Sequence, residues 1–125
     1  VEWATFLKDL DKQTFQSFAG LGWEADYPDP QDFLDVLFHS DSDINHGAYS
    51  NPAADKILEE ARTLKDPLER YRLYSQAERL IVEDAAWVPM WYTGERYVLI
   101  KPNVKGYRLT PMIIPKLKEV YFSNN

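Results

Sequence analysis

The chain has no cysteine in its 125 residues, which excludes disulfides, cysteine-ligated zinc and thiol nucleophiles. Histidine is nearly as scarce, with His39 and His46 the two present. No run of about 18 apolar residues occurs, so no segment is suited to cross a membrane as a helix. A basic excess is also missing: 14 Lys and Arg face 20 Asp and Glu, for a net charge of −6. Without that excess the electrostatic footprint of a nucleic-acid or anionic-lipid binder is absent, and no nucleic-acid partner is expected. There are no internal repeats and no low-complexity stretches. What is present is a globular composition, 45% hydrophobic and 27% charged, in a length that suits one domain, residues 1–125. Aromatics are high, with four Trp, eight Tyr and six Phe.

The charge is unevenly spread. Residues 1–95 carry 8 basic and 19 acidic side chains, whereas residues 96–125 carry 6 basic and one acidic. Tyr97, Val98, Leu99, Ile100, Val104, Tyr107 and Leu109 interleave the later charges, which predicts half-buried strands with solvated outer faces rather than a basic tail.

Three helix starts share one chemistry. Asp29-Pro30, Asn51-Pro52 and Asp66-Pro67 each place a side chain able to accept an orphan backbone N–H before a proline, which has no N–H to leave unpaired. Asp66 and Glu69 add a capping-box spacing. Ala54, Ile57, Leu58, Ala61 and Leu64 then recur at helical spacing, as do Leu73, Ala77, Leu80 and Ile81, with Tyr71 and Tyr74 beside them. These patterns predict helices over about 52–64 and 67–84. A shorter helix carries Phe33, Leu34, Leu37 and Phe38, and another runs from Glu2 to about Leu10 with Trp3, Phe6, Leu7 and Leu10 on one side.

Strands are expected elsewhere. Phe15 to Trp23 is apolar and followed by a turn rich in Asp and Pro. Ala86 to Tyr92 is apolar almost throughout, and Thr93-Gly94-Glu95 turns it into Arg96 to Ile100 as a hairpin, with Pro89 suggesting an edge or bulge. A last strand spans Leu117 to Phe122. The order of helix, strand, three helices and several strands gives a mixed α/β (α+β) class.

Few constellations carry chemistry. Asp41, Asp43 and Asn45 match the first ligands of a calcium loop, but the glycine and glutamate that such a loop needs are replaced by His46 and Pro52. His39 and His46 lack a third placed ligand for zinc. Ser40, His39 and a nearby Asp suggest a triad, yet no signature frames them. Gly20 and Gly22 lack the third glycine and the helix start of a phosphate loop. Among Asp26, Asp29, Asp32 and Asp35, Asp29 is a helix cap, and Asp32 and Asp35 suit the favourable N-terminal end of a helix dipole. Asp26 is left without a structural assignment. No metal or other cofactor is implied and an enzyme is not supported.

The segment Gly20-Leu21-Gly22-Trp23-Glu24-Ala25-Asp26-Tyr27-Pro28-Asp29-Pro30 puts two aromatics and an acid at a strand exit beside a helix start, a position where ligands commonly bind in α/β architecture. The bland alternative makes Trp23 a core residue and Asp26 an Asx turn before Pro28, and such turns are common enough to favour it on composition.

Residues along the whole chain carry a resemblance. They include Gly22-Trp23-Glu24-Ala25-Asp26-Tyr27-Pro28-Asp29-Pro30 with Phe33-Leu34, Tyr49-Ser50-Asn51-Pro52, Asp55-Lys56-Ile57-Leu58 and Arg70-Tyr71-Arg72-Leu73-Tyr74. Ala77-Glu78, Glu83 to Tyr92, Val104-Lys105-Gly106-Tyr107 and Leu117-Lys118-Glu119-Val120-Tyr121 continue it. In this the chain resembles the C-terminal part of extracellular solute-binding proteins of bacterial ABC importers, the oligopeptide/dipeptide/nickel class.

The resemblance implies a fragment from the second lobe of a two-lobed periplasmic-binding-protein-like fold, with 117–125 returning toward the first lobe. That accounts for a chain starting at Val1 with no signal peptide, and it predicts exposed apolar surface along Leu117 to Phe122. Exposed strand edges of that kind favour a non-native dimer. The resemblance also implies peptide capture for an ABC permease, in the periplasm or lipid-anchored on the outer face of the cytoplasmic membrane. Asp26 then pairs with the ligand's α-ammonium, and Trp23 and Tyr27 line the cleft. Gly20 stands where some peptide binders carry an Arg that meets the carboxylate of a short peptide, which points toward longer peptides. Two alternatives share the fold: a ligand-sensing domain fused to a regulator, and a binder of nickel chelates or sugars. A hydrolase using two of the Asp residues is the third.

Overall fold

The computed structural model describes residues 1–92 and 94–123. Four helices come first: α1 (Trp3–Asp11), α2 (Gln31–Phe38), α3 (Pro52–Thr63) and α4 (Pro67–Glu83). Two short strands follow, β1 (Val104–Lys105) and β2 (Tyr121–Phe122), paired antiparallel with Val104 opposite Phe122 and Lys105 opposite Tyr121. The class is the expected one, mixed helix and strand, but helix dominates.

The helix starts follow the capping chemistry closely. Asn51 Oδ1 accepts from the N–H groups of Ala53 at 2.9 Å and Ala54 at 3.4 Å, and Asp66 Oδ1 accepts from Leu68 at 3.0 Å. Each satisfies donors that the first helical turn leaves unpaired. The reciprocal half of the capping box does not form. Glu69 turns instead to the guanidinium of Arg72, 2.9 Å away on the same exposed face. At the third start, Asp29 Oδ1 accepts from Gln31 N–H at 2.9 Å, and the opening turn through Pro30 places the regular helix one residue later than the spacing predicts.

α3 and α4 are joined by Leu64, Lys65 and Asp66 alone, a link short enough to make them antiparallel neighbours. Leu58 and Ala61 of α3 meet Leu73, Tyr74 and Ala77 of α4 in one apolar cluster, with Ile57, Leu64 and Leu34 at its rim. α2 lies across both, so Leu37 and Phe38 join Ala54 and Ile81 in a second cluster that Trp23, Tyr49 and Trp87 help to cover. Phe38 meets Tyr49 and Trp87 edge-on, with ring centroids 6.2 and 5.2 Å away. α4 ends with Ala85 in the left-handed region at φ 53°. Ala85 N–H bonds to the Val82 carbonyl and Ala86 N–H to that of Ile81, the paired bonds of a Schellman cap built without its usual glycine.

The expected strands mostly do not form. Phe15 to Trp23 runs without a ladder partner and contributes rings instead: Phe6 meets Phe15 at 5.6 Å with the rings tilted, and Phe15 lies 6.5 Å from Phe18. Ala86 to Tyr92 and Arg96 to Ile100 are not strands either, and Thr93, in the expected hairpin turn, lies outside the described residues. The last strand shrinks from Leu117–Phe122 to Tyr121–Phe122. A strand is stable only when its backbone finds a partner and its apolar face a cover. Here Trp91, Tyr92, Tyr97 and Leu99 are each more than four-fifths exposed, and Leu117, Tyr121 and Phe122 are more than half exposed. The expected apolar exposure along 117–122 is present, and it extends back to Val88.

Candidate functional site

Trp23, Asp26 and Tyr27 lie on the irregular segment that feeds α2. The segment is tied down at its backbone. Asp32, on the first turn of α2 and only 1% exposed, accepts two hydrogen bonds on its Oδ2, each 3.1 Å long. One comes from the Trp23 indole Nε1–H and the other from the backbone N–H of Asp26. The Ala25 carbonyl accepts from Ile113 N–H at 3.0 Å, and Glu24 pairs with Arg96 at 3.2 Å. These bonds bracket the segment between α2 and residues 96–113. A small hollow of about 140 Å³, lined by Arg96, Tyr97, Tyr107 and Ile113 among others, adjoins it.

The side chain of Asp26 contrasts with its backbone. Its carboxylate is exposed and takes no hydrogen bond or ion pair among the described residues. The Asx turn does not form, since the residue two places on is Pro28, which has no N–H to offer. Trp23 is half-buried, one face against the second apolar cluster, so the core reading of Trp23 holds in part. The Tyr27 hydroxyl donates to Gln31 Oε1 at 3.2 Å. Burial, then the carboxylates of Asp32 and Asp29, push its pKa up, so it stays a neutral donor at physiological pH.

The other three acids of this stretch are committed. Asp29 caps α2 through one oxygen and binds the Arg70 guanidinium with the other. Burial pushes its carboxyl up, but the hydrogen bonds from Arg70 and Gln31 outweigh this and hold it below the usual 3.8. Arg70 in turn stacks over the Tyr74 ring, 5.0 Å from its centroid. Asp35, 4% exposed, is gripped by both arms of Arg62, with Nε 2.6 Å from Oδ2 and Nη2 on Oδ1. Sequence reasoning assigned Asp32 and Asp35 to the helix dipole and missed these partners. One signal was available for Asp35: it stands three residues before the buried Phe38, on an adjoining strip of α2, and a charge there requires a partner.

The calcium-like loop is held by its own asparagine. Asn45 Nδ2 donates to the carbonyls of His39 at 3.3 Å and Tyr49 at 2.7 Å, and its Oδ1 accepts from Tyr49 N–H at 3.1 Å. That amide is therefore a loop tie. The two histidines are drawn to different helices, His39 Nε2 lying 3.4 Å from Glu59 Oε1 and His46 Nδ1 3.8 Å from Asp11 Oδ1. His39 Nδ1 accepts from Asp41 N–H at 3.2 Å, while the Ser40 hydroxyl donates to Asp55 at 2.6 Å, so the triad geometry is not assembled. No group of three metal-ligating side chains occurs among the described residues.

Comparison with known proteins gives a consistent result. No family model matches the chain. The periplasmic oligopeptide-binding protein OppA of Salmonella typhimurium is 40% identical over 109 residues, which cover 85% of this chain and 19% of that protein. A probable deoxycholate-binding periplasmic protein, YgiS of Escherichia coli, is 34% identical over 122 residues, covering 97% of this chain and 22% of that protein. Among solved structures, the unliganded open form of the periplasmic murein tripeptide binding protein MppA superposes with a TM-score of 0.61 at 30% identity, covering 97% of this chain and 23% of the other. The chain is thus homologous over most of its length to one segment of the periplasmic peptide-binding proteins, as the sequence resemblance implied. It spans about a fifth of the length of these relatives.

Proposed function

We propose that this chain is a segment of the substrate-binding component of an ABC importer, and that the protein containing it captures oligopeptides in the periplasm and delivers them to a membrane permease. The observation that carries the reading is the 40% identity to an oligopeptide-binding protein across 85% of the chain. In this reading the segment belongs to the second of two lobes, with 117–125 leading back toward the first. Asp26 pairs with the α-ammonium group of the peptide, which every free peptide possesses whatever its side chains. The unpaired, exposed carboxylate of Asp26 supports that role, because an anchor already bonded within the protein would have to exchange partners to bind. Trp23 and Tyr27 line the cleft beside it. The binding step involves no covalent chemistry. Ligand bridges the two lobes and shifts the population toward a closed form that the permease recognises.

The test is Trp fluorescence of the intact protein titrated with one peptide in free-amine and N-acetylated forms. The free amine is expected to bind far more tightly, since truncating one partner of a buried ion pair typically costs about 3–5 kcal/mol. Equal affinities would retire Asp26 as the anchor. Silence to both peptides would favour a second reading, a non-peptide ligand in the same fold, for which the deoxycholate-binding relative is the specific precedent.

A further inference from the structure

We propose that Asp32 is a positioning residue for the ammonium anchor: its buried carboxyl fixes the backbone of Asp26 and the indole of Trp23 through one shared oxygen. The proposal rests on the reading of Asp26 given above and adds a second acid that never meets the ligand.

Asp26 sits on a segment with no helix or strand to hold it, so the direction of its carboxylate depends on whatever fixes its backbone. Two donors three residues apart, Trp23 Nε1–H and Asp26 N–H, converge at 3.1 Å on the same Oδ2 atom. That convergence sets the chord between the aromatic wall and the acid. The oxygen is itself rigidly placed. Asp32 is 1% exposed, on the first turn of α2, and that turn is capped by Asp29, which Arg70 ties to α4. A line of polar bonds therefore runs from α4 through Arg70, Asp29 and the start of α2 to Asp32 and Asp26. The Ala25 carbonyl, bonded to Ile113 N–H at 3.0 Å, fixes the far side of the same peptide unit.

The two acids divide the work by burial. A carboxylate that must meet an ammonium group is most effective when unpaired beforehand and mounted on a rigid support. Asp26 has the free carboxylate and Asp32 supplies the support. Because one oxygen holds both groups, displacement of the Asp26 backbone is transmitted to the Trp23 indole.

The experiment uses the full-length protein with Asp32→Ala and Asp32→Asn, and measures Kd for tetra-alanine in free-amine and N-acetylated forms. The readout is the ratio of the two constants, which a merely structural role would not change, since general loosening weakens both forms alike. In Asp32→Ala the ratio is expected to fall about tenfold, equivalent to about 1.4 kcal/mol. Asp32→Asn keeps a carbonyl oxygen able to accept both N–H groups and is expected to hold the ratio within about threefold of wild type. An unchanged ratio in Asp32→Ala overturns the role of Asp32 while leaving Asp26 in place. A wild-type ratio near one, or no binding of either peptide, removes the reading of Asp26 and this inference with it. Should Asp32→Ala fail to fold, hydrogen exchange in the wild type decides. Slow exchange at both the Trp23 indole and the Asp26 amide supports the shared bond, and fast exchange at either overturns it.

Discussion

The pair between Arg62 and Asp35 gives the sharpest test of how the helices are held, because its two ends are unequally buried. Asp35 is 4% exposed at its side chain and Arg62 40% exposed. Removing the arginine, as in Arg62→Ala, strands a carboxylate that is buried away from water without its ion-pair partner. Truncating one partner of a buried pair costs about 3–5 kcal/mol, and partial exposure of the arginine lets solvent reach the site and lowers the expected figure to about 2–3 kcal/mol. Removing the acid instead, as in Asp35→Ala, leaves a guanidinium that can swing into solvent, for an expected cost of about 1 kcal/mol. The hydrogen bonding of Arg62 to the Asp35 carboxylate is also what chiefly raises the Arg62 pKa, against the opposing effect of burial. Urea unfolding of both single variants and the double variant measures the asymmetry and the coupling. Equal costs, or a larger cost for Asp35→Ala, would refute the argument that burial of the acid governs this contact.

Two further predictions follow from local geometry and titration. A Cβ on Gly106, whose φ is +77°, would lie 2.0 Å from the Glu119 carbonyl oxygen, so Gly106→Ala must push β1 and β2 apart. It is expected to cost at least the 1–2 kcal/mol of a left-handed alanine, roughly, and to remove exchange protection from Ser123 N–H, which bonds the Asn103 carbonyl beside the ladder. Retained protection there would mean the approach is not tight. Stability should also fall at both ends of the pH scale. Asp84, held below 3.8 by the Tyr49 hydroxyl and then Asn51, and Asp29, held there by Arg70 against burial, stabilise the fold above the usual aspartate pKa, and that stability is lost as pH falls through their lowered values. Tyr49 and Tyr74 are each pushed up to about 12, first by burial, so the opposite sign holds: their contribution is complete below pH 10 and is lost as pH rises toward 12. Absorbance titration of the phenolates should show these tyrosines ionising last, and a single transition near 10 for all of them would contradict the burial argument.

Features governed by neighbours a few residues away were legible in the sequence. Asn51 and Asp66 cap their helices through N–H groups two or three residues on, and the apolar spacing from Ala54 to Ile81 describes the buried faces of α3 and α4. Features governed by distant partners were not. The hairpin over 86–100 and the strand over 15–23 were inferred from composition, but composition describes only what a segment can do when a partner arrives. Val104–Lys105 and Tyr121–Phe122, the one ladder among the described residues, are separated by fifteen residues with Gly106, Pro111 and Pro115 among them, so no single short turn marks them as partners.

The candidate site shows the same division within a few residues. Elimination singled out Asp26 correctly as the acid without a structural bond, because capping and helix dipoles are local effects. It placed Asp32 on the opening turn of α2, as found, but missed its partners, which lie six and nine residues back and meet it only once the segment folds over the N-terminus of α2. Burial separates the two acids further, with Asp32 enclosed and Asp26 exposed. A buried acid has to find donors, and here the donors Asp32 finds are those of the segment carrying the exposed acid. The cost of burying Asp32 and the rigidity of Asp26 are therefore one interaction viewed from its two ends. A substitution at Asp32 therefore tests the support of the segment, while the free-amine to N-acetyl ratio of the wild type tests Asp26 itself.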